Sequence, residues 1–283
     1  MKFRGRVIEG QKLARTLGVP TANLSLPQRP QIKDGVWLAR VSFDGKIYGG
    51  ILHAGVRQTD KQWALEVHLL EFDGELLGKV LEVETVKFLR ETKRFNALSA
   101  LKAQIHLDVI EARKFFLRET IRTHWEKTFD AEREALAEKA FEEVSNLSVF
   151  QSSSVIYAFA PDALEINYVQ KLCSKFPEKQ FAFPYVRAWD MKFYISQYED
   201  LVPGNFNILE PLPEVLASKP DLILVPAQAA AFTGERLGRG GGYYDVFLSD
   251  KDIPTVCVLP EWAVLKDLPS DARDQRVGKV IGV

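Results

Sequence analysis

Cysteine is scarce in this sequence. Only Cys173 and Cys257 occur among 283 residues, both in apolar surroundings. Neither has metal-ligand spacing, so two reduced core thiols are expected rather than a disulfide framework or a thiolate metal centre. An excess of one charge is also missing. Lys and Arg number 37 against 38 Asp and Glu, a net of −1, which gives no electrostatic reason for nucleic acid or an acidic membrane surface as partner. An anionic ligand such as a nucleotide must therefore find a local pocket of Arg, Lys and backbone N–H groups. The opening stretch MKFRGRVIEG has no apolar h-region, and no apolar run approaches the length of a membrane span. A cytoplasmic chain acting on small molecules is expected, with no membrane and no nucleic acid as partner. There is no internal repeat, no low-complexity tract and no convincing catalytic triad.

The length favours two domains, and two textures divide the chain. Up to about Glu84, short alternating segments dominate: Val36–Val41, Ile47–Ala54, Ala64–Leu70 and Lys79–Val83. Asp44-Gly45 and Asp73-Gly74 separate them as turn signals, so antiparallel hairpins in a small sheet or barrel are predicted. From Asn96 the period changes. Leu98, Leu101, Ile105, Val109 and Ala112 fall at three- and four-residue steps on one helical face, and Glu132–Val144 is a second amphipathic helix. No Pro/Gly/Ser-rich linker lies between Ala97 and Val144, and the boundary reads as helix running into helix. Beyond Ser152 strands alternate with helices: VIYAFA, YVQKLCSKF, QFAFPYV, then the apolar run Asp221–Pro226 and Thr255–Leu259. That order predicts an α/β layered open sheet.

The segment from Gly234 to Asp245, GERLGRGGGYYD, follows the Asp221–Pro226 strand and leads into helix-compatible YYDVFLSD. Strand, glycines and helix start in that order suit phosphate. Glycine lets backbone N–H groups turn onto an anion, and a helix N-terminus adds a favourable dipole. Arg236 and Arg239 can give charge-assisted hydrogen bonds to phosphate oxygens, and Asp245 is a candidate Mg²⁺ ligand. The competing reading is a surface loop with scattered charges, about as common for a bare glycine motif.

The longer string RLGRGGGYYD resembles the signature of 5-formyltetrahydrofolate cyclo-ligases, and the likeness extends from about Arg113 to Val283. It implies ATP and Mg²⁺ as cofactors and 5-formyltetrahydrofolate as substrate. Lys114 and Arg118, in KFFLR, would contact ATP. So would Arg236, Gly238, Arg239, Gly240, Gly241, Gly242, Tyr243 and Tyr244, with Arg239 and Asp245 the residues expected to carry catalysis. Glu165, Met191 and Phe206 would meet the folate, and Asp245 and Asp274 the metal. The chain differs from the family's usual pattern at Ala230-Ala231, where Phe-Asp is customary, and at Val186, Trp262 and Gly278.

Upstream, Pro20-Thr21-Ala22-Asn23 resembles the PTAN motif of riboflavin kinases, and the similarity covers about Phe3 to Phe116. It implies a six-stranded antiparallel barrel with a C-terminal helix. Thr21 and Asn23 would bind Mg²⁺ and nucleotide phosphate, and Glu66 would be the catalytic base for the ribityl hydroxyl. Lys12 and Ala14 stand at two customary glycines, and His53, Gln58 and Leu77 replace an Asn, a Pro and a Tyr. With no adenylyltransferase domain ahead of the barrel, FMN is the furthest expected product. Domains of 1–112 and 113–283 are expected. Three readings stand side by side: a bifunctional enzyme, a cyclo-ligase whose inactive barrel binds flavin or nucleotide or serves in docking, and a pseudoenzyme at both sites.

Overall fold

The computed structural model describes residues 1–10, 18–57, 61–188, 190–204 and 207–283. The chain divides into two compact units, Met1–Phe116 and Leu117–Val283. Among the described residues no helix is long and apolar enough to cross a membrane.

The first unit holds β1 (Lys2–Ile8), β2 (Ala22–Ser25), β3 (Gly35–Phe43), β4 (Lys46–Val56), β5 (Trp63–Leu69) and β6 (Val80–Arg90). They close a barrel in the order β1-β2-β5-β4-β3-β6, every ladder antiparallel. The predicted Asp44-Gly45 turn joins β3 to β4 with both residues at positive φ, 50° and 74°, the backbone that a two-residue hairpin needs. Alternate residues fill the barrel: Val41, Leu52, Ala54, Leu65, Val67, Leu81 and Val83 among them. The opposite faces of β3 and β4 expose Val36, Leu38 and Ile51, and these are covered from outside by Val109, Ala112, Phe115 and Phe116. All four belong to α1 (Leu98–Lys127), which is 30 residues long. The helix predicted from Leu98 to Ala112 therefore continues well past its periodic stripe. Gly49 permits the close crossing, since a Cβ there would come within 2.6 Å of the Phe116 ring.

The second unit is built on β7 (Val155–Tyr157), β8 (Gln180–Arg187), β9 (Asp190–Ile195), β12 (Leu222–Leu224), β15 (Thr255–Leu259) and β17 (Lys279–Gly282). The order is β17-β15-β12-β7-β8-β9, parallel throughout except for the antiparallel edge strand β9. Residues of β12 and β15 are buried without exception, which is why both read as continuous apolar runs rather than alternating ones. Helices α2 (Asp130–Ser145), α3 (Ser148–Ser152) and α4 (Val169–Lys175) accompany the sheet, α2 burying Leu136, Ala140 and Val144 at helical spacing. Small pieces complete the unit: β10 (Val202–Pro203) with β11 (Leu209–Glu210), and a three-stranded sheet of β13 (Ala229–Ala231), β14 (Arg236–Leu237) and β16 (Val264–Leu265). A short helix, α5 (Tyr243–Leu248), follows the glycine segment.

Candidate active sites

The glycine segment does not leave the β12 strand directly, as its sequence order implied. A hairpin, β13 and β14, intervenes, and the loop springs from β14 at Leu237. Ala230 and Ala231 are fully enclosed in that hairpin, between β14 and β16. Gly240 and Gly242 adopt φ of 94° and 72°, left-handed values that any other residue would meet with strain. Gly242 caps α5, which has only six residues. The helix dipole is therefore a minor contribution, and loop N–H groups and cations must carry anion binding.

Three arginines converge on this loop within the second unit. Arg118, on α1, donates from Nε to the Gly238 carbonyl at 2.8 Å, and a Cβ on Gly240 would lie 3.4 Å from its Nη2. Its guanidinium thus lies against the loop. Arg236 is enclosed: its side chain is 3% exposed and its Nη2 lies 2.8 Å from Asp245 Oδ1. The same oxygen accepts the Gln275 N–H at 3.0 Å. Arg236 is thus held through Asp245 rather than presented openly to the loop. Arg239 turns the other way, its Nη2 lying 2.8 Å from Asp162 Oδ2 and 2.9 Å from Glu165 Oε2.

Glu165 is buried, and burial pushes its carboxyl above the ordinary range; Arg239 opposes the shift and Asp162 adds to it. Beside it Tyr168 is enclosed and Tyr244 half-buried, their phenols held above the ordinary range chiefly by burial. The hydroxyls of Tyr168 and Tyr244 and Nε of Arg236 are buried with no partner among the described residues. Orphaned polar atoms of this kind call for a ligand or ordered water. Tyr243 donates to the Ala188 carbonyl at 3.1 Å, and Met191 is buried in β9. Asp274 Oδ2 accepts the Asp271 N–H at 2.7 Å, one residue before the Gln275 that bonds Asp245. Among the described residues no three acidic, His or Cys side chains form a metal cage. A cation at Asp245 and Asp274 would complete its shell with phosphate oxygens and water, as Mg²⁺ does. Lys114 is buried and belongs to the first unit. Phe206 lies outside the described residues, as do Lys12, Ala14 and Gln58.

In the first unit, register assembles a second group. Asn23 on β2 is paired with Glu66 on β5, and Glu66 with His53 on β4. Their strand neighbours Ala22, Leu24, Leu65, Val67, Leu52 and Ala54 fill the barrel, so the three form a row on its outer surface. Gly10 lies over Asn23, which explains why that amide is buried; Arg57 Nη1 donates to its Oδ1 at 3.4 Å. Thr21 stands half-buried just ahead of β2, and His68 Nδ1 lies 2.8 Å from the Pro20 carbonyl oxygen, tying the turn to β5. Burial and the Arg90 charge hold the His53 imidazole below its ordinary range, which favours its neutral form. Asp162, Tyr168 and the placement of His53 were not read from the sequence. Only the short spacing from Asp162 to Glu165 could have drawn attention to the first.

The riboflavin kinase family description matches residues 1–116, and that of the 5-formyltetrahydrofolate cyclo-ligase family matches 110–283. The bifunctional riboflavin kinase/FMN adenylyltransferase of Pseudomonas fluorescens is 47% identical over 115 residues, 40% of this chain and 37% of that protein. The trifunctional protein RibF/MnmA of Mycoplasmoides gallisepticum is 26% identical over 251 residues, covering 77% of this chain and 35% of its own length. The chain thus spans little more than a third of either relative. Among solved structures, the 5,10-methenyltetrahydrofolate synthetase of Aquifex aeolicus matches with a TM-score of 0.55 and 28% identity, over 60% of this chain and 89% of that one. The chain belongs to the 5-formyltetrahydrofolate cyclo-ligase family and carries a riboflavin kinase-like barrel ahead of that domain.

Proposed function

We propose that the second unit converts 5-formyltetrahydrofolate to 5,10-methenyltetrahydrofolate, consuming ATP in the presence of Mg²⁺ and releasing ADP and phosphate. A formamide carbonyl is a poor electrophile. Transfer of the γ-phosphoryl group to the formyl oxygen makes that oxygen a leaving group; the neighbouring folate nitrogen attacks the carbon, the ring closes, and phosphate departs. Such chemistry asks for positioning and charge neutralisation rather than a covalent nucleophile. Arg118 and Arg239 serve the phosphates, the glycine N–H groups line them, and Asp245 and Asp274 hold the metal. Bound Mg²⁺ supplies charge neutralisation on the phosphate oxygens.

The observation that carries this reading is the contact of Arg239 with Glu165. A phosphate-loop cation and the buried acid assigned to the folate touch, as phosphorylation of a folate oxygen requires. We further infer that the barrel phosphorylates riboflavin to FMN, with Glu66 as base and Thr21 and Asn23 at the nucleotide; the paired register of Asn23 and Glu66 supports it. The domain limits proposed remain 1–112 and 113–283. One assay tests both activities: ADP release from MgATP with each substrate supplied separately. No ADP with 5-formyltetrahydrofolate removes the first activity; riboflavin binding without FMN production removes the second and leaves a flavin-binding module.

A further inference from the structure

Arg239 is held by one corner. Nη2 meets both acids, while Nε and Nη1 engage no protein group among the described residues. The two acids differ in setting. Glu165 is 5% exposed and Asp162 26%. Asp162 Oδ1 accepts the Leu164 N–H at 2.7 Å, and the Asp162 N–H donates to Glu165 Oε2 at 3.1 Å. The turn is closed on itself, so the Asp162 carboxylate is fixed by its own backbone.

Two carboxylates against one amino group, Glu165 hydrogen-bonded and Asp162 ion-paired, are redundant if Arg239 need only be held in the resting chain. They are useful if the contact with one of them must be given up. Under the cyclo-ligase reading, on which this inference rests, Glu165 hydrogen-bonds the folate, and that contact draws its oxygen away from Arg239. We propose that Asp162 is a positioning residue that keeps Arg239 anchored while Glu165 turns to the folate, leaving the Nε/Nη1 edge of the guanidinium for the phosphoryl group being transferred. Preorganised donors act because they need no rearrangement at the moment of reaction.

Asp162→Asn is the diagnostic change. Its amide oxygen still accepts the Leu164 N–H, whereas the negative charge toward Arg239 is gone. In assays with MgATP and 5-formyltetrahydrofolate, kcat should fall about 10- to 100-fold, with KM for the folate changing less than about threefold. Asp162→Glu should recover most of the loss, and Asp162→Asn should cost nothing further in an Arg239→Ala background. Wild-type rates in Asp162→Asn overturn the proposal. So do equal losses in both backgrounds, the mark of a merely structural role. If the wild-type chain does not turn over 5-formyltetrahydrofolate, the functional reading fails separately. Calorimetric titration of the same proteins with MgATP then decides the role of Asp162. About fivefold weaker binding in Asp162→Asn, absent from the Arg239→Ala background, supports it; identical affinities overturn it.

Discussion

Arg236 and Asp245 meet at 2.8 Å, the guanidinium almost wholly enclosed at 3% exposure and the carboxylate at 24%. Asp245 therefore neutralises a buried guanidinium in addition to the Mg²⁺ ligation proposed for it. Removing it strands a buried charge, which costs roughly 3 kcal/mol. Asp245→Ala should lose Mg²⁺-dependent turnover and also shift the denaturant midpoint. Asp245→Asn, which keeps an acceptor for the Gln275 N–H, should lose turnover at a cost below about 1.5 kcal/mol. Rates in Asp245→Asn equal to wild type would remove the residue from the metal site.

Arg239→Ala should weaken MgATP binding, and its stability should carry a pH signature from Glu165. Burial raises that carboxyl above its ordinary 4.5, and Arg239 opposes the shift. A raised folded-state value favours the protonated form in the native chain. The contribution is complete below the unfolded value and is lost as pH rises through the folded one. Without Arg239 the folded value climbs further, so the loss extends to higher pH. Urea midpoints of the variant and wild type should lie close together near pH 4.5 and separate toward neutrality. Adding Glu165→Gln should close the gap; a gap independent of pH would show that Glu165 does not ionise against Arg239.

Much of this was legible in the chain, and the reasons are local. Asp44-Gly45 carries its own turn geometry, and RLGRGGGYYD needs no partner to be recognised. The hairpin between β12 and the glycine loop was not legible: its strands, Ala229–Ala231 and Arg236–Leu237, are too short to show a period of two. Asp162 was invisible for another reason. Its meaning depends on Arg239, whose bond to Glu165 spans 74 residues. The row of Asn23, Glu66 and His53 likewise requires three strands in register, which no single segment encodes.

The α1 helix is fastened to the barrel of the first unit by a polar lock. Arg90 donates to Asp108 through Nε at 2.9 Å and Nη2 at 2.6 Å, and Gln104 Nε2 adds a bond to the same carboxylate at 3.0 Å. Arg90 is 16% exposed and Asp108 7%. Asp108→Ala leaves the guanidinium uncompensated and should destabilise the first unit by about 3 kcal/mol. Asp108→Asn, which keeps one acceptor, should cost about half of that. Denaturation followed by the fluorescence of variants that keep Trp37 as their sole tryptophan reads the difference; an unchanged midpoint in Asp108→Ala would mean the apolar contacts of Ala112 and Phe116 suffice.

Gly10 and Asn23 give the sharpest test of the barrel. A Cβ on Gly10 would lie 2.0 Å from Asn23 Nδ2 and 2.7 Å from its Cγ. The clash is with the far end of a rotatable side chain, so the amide can swing aside and stability should fall by less than about 1 kcal/mol. Its position, however, is lost. If Asn23 binds the nucleotide phosphate and metal, Gly10→Ala should lower FMN formation about 100-fold. Asn23→Ala should match that loss, and the double variant should be no worse than either. The non-additivity matters most, because it separates displacement of Asn23 from any independent effect of crowding at Gly10. FMN formation at the wild-type rate in Gly10→Ala would place the phosphate elsewhere on the barrel.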